Sequence, residues 1–354
     1  MIPDDLKPED IIFLDFETYY DNNVTLKKLS TTDYIRHPEF MVHMVAIRHG
    51  NEPAKVYTGD DIRPALHAID WRNHAMAAHN CAFDGFILTQ LFDCVPCFYI
   101  DTLSMARAVH GMHQRHSLEI LAKQHGLGIK NKEALGDTKG LRVIPPEILE
   151  KLAKYCAADT DMLADLFWKL YPHMTDDEME LVHITIKMFC EPVLMLDTER
   201  VEAELTREVE AKDNAVADSG MDRADLGKNE LFAAALRAEG VVPPTKISPT
   251  TGKEVYAFAK TDMEFTALAE HENPVVRALV DARRRVKSTI GETRANRLLT
   301  LGLNKQALPV MLNYWGAHTG RWSGGDRMNF QNLKRGGELR KSLLAPEGHM
   351  VLVA

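Results

Sequence analysis

Residues Ile11–Thr18 read IIFLDFET. The apolar run Ile11–Phe16 predicts a short buried strand. Asp15 and Glu17 stand at its end. Positions i and i+2 of a strand point to the same face. Two carboxylates side by side repel unless cations lie between them. Taken alone, an Asp-x-Glu pair is also what a solvated strand end looks like, so the reading depends on what surrounds it.

Working outward, Met41–Arg48, Ala75–His79 and Phe98–Asp101 are further strand candidates. Helical patterns fall at Ile62–Trp71, Phe83–Leu91, Leu103–Val109 and Ser117–His125. Pro145–Pro146 opens a longer helix to about Leu170, proline being suited to a first helical turn. The N-terminal part therefore reads as mixed α/β. Beyond Tyr171 strand signals fade. Thr175 with Glu178 forms a capping-box pattern for a helix through Phe189. Thr198–Asp218 and Lys228–Ala238 read as helices, and Gly240–Gly252 as a loop. Thr261 with Glu264 suggests another capping box. Pro274–Leu299 reads as one long basic helix, and Val310–Trp315 as a possible strand. The main domain boundary is expected near residues 172–190.

Two further acidic elements follow the first in chain order. Asn80-Cys-Ala-Phe-Asp84 comes just after a predicted strand, where the Asp84 carboxylate could double as a helix cap. Tyr155-Cys-Ala-Ala-Asp159 lies on the long helix, and i, i+4 spacing puts both side chains on one face. Each alone has a bland explanation: a cap, or a half-buried tyrosine beside an exposed acid. Together, Asp-x-Glu, Asn-x-x-Phe-Asp and Tyr-x-x-x-Asp in this order resemble the DEDD-type 3′–5′ exonucleases, in the subgroup with tyrosine before the last aspartate. Asp101-Thr102 is similar to the end of that family's third strand. The resemblance implies a ribonuclease H-like fold and hydrolysis of a phosphodiester with two divalent metal ions, Mg²⁺ or Mn²⁺, held by carboxylate oxygens. By resemblance, Asp15 would bridge both ions, Glu17 and Asp159 would hold the one that activates water, and Asp84 would serve the second. The Tyr155 hydroxyl would orient the attacking water.

A second resemblance covers the rest of the chain. It is carried by Ser248-Pro-Thr-Thr-Gly-Lys253, by Ala257-Phe-Ala-Lys-Thr-Asp262 and by Ala282-Arg-Arg-Arg-Val-Lys-Ser-Thr289. Gly316-Ala-His-Thr-Gly-Arg-Trp-Ser323 and Asn329-Phe-Gln-Asn-Leu333 complete it. These are similar to the thumb and the start of the palm of family A (polymerase I type) DNA polymerases, closest in style to bacteriophage members. The implied organisation is an exonuclease domain over 1–175, a mainly helical thumb-like DNA-binding region over 176–303, and a partial palm over 304–354. Carried over by motif, Arg321, Gln331 and Asn332 would contact primer–template DNA from the minor-groove side, reporting pairing geometry. Arg283, Lys287 and Arg335 are expected phosphate contacts by charge alone. Family members continue beyond Gly348–Ala354 into a strand bearing the first polymerase aspartate. That aspartate, the fingers and the second carboxylate motif are absent. The expectation is therefore a DNA exonuclease of proofreading type. The alternative is the N-terminal subunit or fragment of a split polymerase acting mainly as a DNA-binding module. Polymerisation would require the missing part, supplied perhaps by a second chain, and the present chain would end inside a core strand.

Composition bounds these readings. A chain of 354 residues suits two or three domains. It has no apolar run of transmembrane length, and its acidic N-terminus has no signal core. Five cysteines suggest a reducing, cytoplasmic setting (a host cytoplasm for a viral protein) without a disulfide framework. The net charge of -9 argues mildly against a simple nucleic-acid binder, but residues 274–300 and 319–341 are locally basic. Cys94, Cys97, His110 and His116 match a zinc-finger spacing. They overlap the segments expected to form a strand and a helix, and the match is read as accidental.

Overall fold

The computed structural model describes residues 7–128 and 136–352. The chain divides into two compact units: Met1–Met195 with Lys305–Leu333 and Ala345–Ala354, and Leu196–Asn304 with Lys334–Leu344.

The first unit is built on a five-stranded sheet: β1 (Ile11–Thr18), β2 (Val42–His49), β3 (Lys55–Thr58), β4 (Ala75–Ala78) and β5 (Phe98–Asp101). Their spatial order is β3-β2-β1-β4-β5. β1 runs antiparallel to β2 and parallel to β4, and β4 is parallel to β5. β4 and β5 are buried throughout and apolar except for the terminal Asp101, as parallel strands covered on both faces must be. The helices of this unit are α1 (Thr31–Ile35), α2 (Ile62–His67), α3 (Cys81–Phe92), α4 (Thr102–His110), α5 (Leu118–His125), α6 (Pro146–Leu170) and α7 (Asp176–Cys190). α7 opens on the expected capping box. Thr175 Oγ1 accepts the Glu178 N–H at 3.2 Å, and Glu178 Oε2 accepts the Thr175 N–H at 3.3 Å.

The alternation of β1 fixes where the site lies. Ile12, Leu14 and Phe16 enter one core, packed with residues of α3 and α7. Ile11 and Phe13 enter the other, against Leu163, Ala164 and Phe167 of α6. The next two residues with that second parity are Asp15 and Glu17. The strand thus exchanges apolar side chains for carboxylates on the face that α6 covers.

The second unit is mainly helical: α8 (Thr198–Ser219), α9 (Arg223–Leu226), α10 (Asn229–Ala238), α11 (Met263–Ala267), α12 (Pro274–Lys287) and α13 (Ile290–Leu301), with a short hairpin β6 (Thr245–Ile247)–β7 (Glu254–Tyr256). Phe232, Leu236, Phe265, Val276, Leu279 and Val280 make its core. Several expectations are corrected here. The Gly240–Gly252 segment is not all loop: β-branched residues flank a turn in which Gly252, at φ 66, takes a left-handed conformation. Pro274–Leu299 is two helices, because Ser288 is extended (φ -99, ψ 111). Its carbonyl instead accepts Lys212 Nζ at 3.1 Å. Thr261 does not cap α11. Asp262 occupies that position without a side-chain cap bond, and its carboxylate instead accepts the Ala259 N–H and Lys246 Nζ.

In the first unit, Val310–Trp315 keeps only Leu312–Asn313 as strand, paired with Ser323–Gly324. Trp315 stands at φ 49, which ends any extended run. Residues 349–352 form no strand, and Met350 and Leu352 are 78% and 84% exposed. Val353 and Ala354 lie outside the described residues.

Candidate active site

β1 pairs with β4 only as far as Phe13 opposite Ala77. Past that point the β4-facing edge of β1 has no strand partner, and Asp84 Oδ1 accepts the Phe16 N–H at 3.1 Å. Asp84 lies in the first turn of α3, but capping, the expected second role, is not what its carboxylate does. The helix starts three residues earlier, after Asn80 in a left-handed conformation (φ 73, ψ 51). Asp101 holds that junction. Its Oδ1 accepts the N–H groups of Asn80, Cys81 and Leu103 at 2.9, 3.0 and 3.2 Å. Its Oδ2 accepts the N–H and hydroxyl of Ser104 at 3.1 and 2.6 Å. One buried carboxylate thus ties the end of β5 and the start of α4 to the start of α3, and so positions Asp84.

From the other side, α6 presents Tyr155, Cys156 and Asp159, all buried. Ligand atoms of Asp15, Glu17 and Cys156 lie within 4.8 Å of one another, the one such cluster of three or more candidate metal-binding groups among the described residues. The Cys156 thiol faces Asp15, with Sγ 3.5 Å from its carbonyl and 3.8 Å from Oδ2.

The electrostatics tie the acids together. Burial, then the charge of Asp15, push the Asp84 carboxyl well above the usual carboxylate range, against the amide hydrogen bonds that favour its ionised form. The Tyr155 hydroxyl is driven upward by burial, then by the charge of Asp159 and a hydrogen bond to it, then by Glu17 and Asp15. It stays a neutral donor. Burial and the same three acids raise the Cys156 thiol. With no cation bound, Cys156 is a protonated thiol beside the carboxylates. Carboxylates crowded until one resists ionisation suit a hard divalent cation, which would relieve their repulsion. Asp15 and Glu17 are the carboxylates whose oxygens lie close enough to share one.

All five residues of the expected exonuclease set thus meet at one end of β1. Cys156 is fully buried and a neighbour of Asp15. The positioning role of Asp101 was not anticipated, although Asp101-Thr102 was noted as a motif. The signal was available: an aspartate followed three residues later by serine, at a strand-to-helix junction, is an N-cap pattern.

The zinc-finger spacing does not assemble. Cys94 Sγ lies against the Phe92 and Leu66 carbonyls, Cys97 is exposed, and His110 pairs with His125, Nε2 to Nε2, at 3.2 Å.

The expected DNA contacts divide. Arg321, Gln331 and Asn332 are exposed, on a segment anchored within the first unit. Trp322 Nε1 donates to Thr185 Oγ1 at 2.9 Å, and Asp326 accepts from the Thr32 N–H and hydroxyl. Lys287 and Arg335, in the second unit, are exposed. Arg283 is different: it is 3% exposed. Its guanidinium donates to the Leu226 carbonyl and Asn229 Oδ1 and packs on the rings of Phe232 and Phe258. The expectation of a surface phosphate contact is corrected at this residue. It continues the Val276, Leu279, Val280 stripe at helical spacing, so the charge faces inward.

Comparison with known proteins gives the following. Residues 23–175 match the DNA polymerase A family model described as 3′–5′ exonuclease. The match takes in Asp84, Asp101, Tyr155 and Asp159 and begins after Asp15 and Glu17. The fold is similar to the POL domain of Pol1 from M. smegmatis, in complex with DNA primer-template and dNTP, at a TM-score of 0.59 and 16% identity, over 96% of this chain. The chain spans 56% of the length of that protein. A nuclease in its apo form is less similar, at a TM-score of 0.40 and 18% identity, over 52% of this chain and 82% of that one. No curated protein matches in sequence.

Proposed function

We propose that this chain, whose residues 23–175 form a 3′–5′ exonuclease domain of the family A polymerase type, removes nucleotides from single-stranded 3′ ends of DNA in a proofreading role. The observation that carries the reading is the meeting of Asp15 and Glu17 of β1 with Tyr155 and Asp159 of α6, while Asp84 holds the open edge of the same strand. The sheet order and this placement of acids support a ribonuclease H-like assignment. Residues 176–303 and 304–354 are proposed as thumb-like and partial-palm regions, although α7, at the start of the first, packs within the first unit.

Asp15, Glu17, Asp84 and Asp159 would hold two divalent cations, which when bound lower the pKa of water and stabilise the leaving oxygen. The chain's own groups do the rest. Tyr155, kept neutral and hydrogen-bonded to Asp159, presents a hydroxyl that orients the attacking water. The Phe16 N–H fixes the Asp84 carboxylate, and Asp101 fixes the turn that carries it. Lys287, Arg335, Arg321, Gln331 and Asn332 are proposed DNA contacts, the first three exposed cations and the last two exposed amides on the 3₁₀ turn Phe330–Asn332.

The test uses a 5′-labelled single-stranded DNA with Mg²⁺ or with EDTA, on the wild type and Asp15→Ala. A ladder shortening from the 3′ end, lost with EDTA and in the variant, is the expected result. Cleavage retained by the variant, or no ladder from folded wild type in Mg²⁺ or Mn²⁺, would overturn the assignment.

A further inference from the structure

The second unit contains a cavity of about 470 Å³ bounded by the β6–β7 hairpin, residues 257–262, the end of α12 and the start of α13. Five cations line it, Lys246, Lys260, Arg283, Arg284 and Lys287, against one acid, Asp262. That acid is already engaged by Lys246 Nζ at 2.6 Å and the Ala259 N–H at 2.8 Å. Lys260, Arg284 and Lys287 have no ion-pair partner among the described residues.

The excess of cations suits an anion. The cavity wall includes Thr289 and Ile290, where α13, a helix of 12 residues, begins without a side-chain cap and with the Glu208 carboxylate lying against Gly291 in its first turn. Arg283, 97% buried on the same wall, has two of its nitrogens bonded to protein, whereas its Nε has no partner. That Nε is sealed from solvent, so the part of Arg283 that meets the cavity contributes its charge and not this donor. The remaining lining is mixed: Phe258, Phe265 and Ile290 give it an apolar part, beside Asn229, Tyr256 and Ser288. The volume is in the usual range for small-molecule sites and exceeds what a bare phosphate fills.

We infer that this cavity binds a phosphate monoester of nucleotide size, with the phosphate toward Arg284 and Lys260 and the organic part against the apolar part of the lining. Guanidinium groups are matched to phosphate oxygens. The monoester could come from a free deoxynucleoside monophosphate or from a phosphorylated DNA end. The inference does not rest on the exonuclease reading.

The test is calorimetric titration of the full chain in EDTA with dTMP, and with thymidine as the control. Saturable one-to-one binding of dTMP, none of thymidine, and weakening of about tenfold or more in Arg284→Gln and in Lys260→Gln are expected, a tenfold loss being about 1.4 kcal/mol. Asp15→Ala should bind dTMP as the wild type does, which separates this cavity from the carboxylate cluster. Displacement of dTMP by a 5′-phosphorylated oligonucleotide, and not by its unphosphorylated form, would assign the source to a DNA end. Its absence would assign it to the free nucleotide. Absence of dTMP binding, or equal affinity in wild type and both variants, would overturn the proposal. So would Arg284-dependent binding of unphosphorylated duplex alone, which would make these cations a rail for the backbone.

Discussion

Each unit buries charge, and they do so in opposite ways. In the second unit Lys212, 4% exposed, is ion-paired with Glu292 and donates to the Ser288 carbonyl. A charge of each sign is present, and the pair closes the break between α12 and α13. In the first unit buried Asp84 meets another acid, Asp15, and its carboxyl is pushed upward by that charge as well as by burial. The comparison separates charge that completes a fold from charge gathered for chemistry. Opposite charges in contact are a structural solution. Like charges held together are tolerated only where something else is to be bound.

The comparison is tested most sharply by deleting one charge from each unit. Lys212→Ala leaves Glu292 without its cation and should cost about 3 kcal/mol, read by chemical denaturation. Asp15→Ala removes a like charge and should leave metal-free stability equal or higher. It should lower exonuclease turnover by about 10³-fold, given the several kcal/mol a catalytic cation contributes. Marked destabilisation by Asp15→Ala and none by Lys212→Ala would reverse the argument. Next in size, Tyr155→Phe keeps the ring and loses the hydroxyl. A loss of about 10–100-fold in kcat with unchanged apparent Mg²⁺ affinity is expected. An unchanged kcat would remove Tyr155 from the chemistry.

A third buried charge site titrates. Burial lowers His183 from 6.5 to about 4, and its Nδ1 accepts the Tyr99 N–H at 3.0 Å, an arrangement only the neutral ring allows. Below about pH 6.5 the unfolded chain takes up a proton that the folded one refuses, so stability falls as pH drops from 6.5 toward 4. The loss should be about 3 kcal/mol and should be reduced in His183→Asn, whose amide oxygen can accept the same N–H. An identical acid profile in the variant would sink this. The smallest effect is expected of Arg321→Ala: weaker primer–template affinity with apparent Mg²⁺ affinity unchanged. An unchanged primer–template affinity would exclude Arg321 as a DNA contact.

Much of the site was legible because it follows from local rules. The parity of IIFLDFET put two acids on one face, and i, i+4 spacing did the same for Tyr155 and Asp159. Where the sequence misled, a distant partner decides the outcome. Nothing near Ser288 announces that Lys212 takes its carbonyl, so one long helix was the natural reading. In Ala282-Arg-Arg-Arg the three arginines look alike, and only the spacing from Val276 distinguishes Arg283, which turns inward, from Arg285, which pairs with Asp281 at 2.8 Å on the surface. The role of Asp101 depends on amides twenty residues upstream.

β1 is bordered by a strand on each side, and it carries Asp15 and Glu17. In such a position the amides of Ile12–Leu14 exchange with solvent only when the sheet as a whole opens. Asp15 and Glu17 lie past the doubly paired stretch, where β2 alone borders the strand and Asp84 covers its other edge. On heating, the site should lose its geometry, and activity with it, at or below the temperature at which the amides of Ile12 and Phe13 lose their protection.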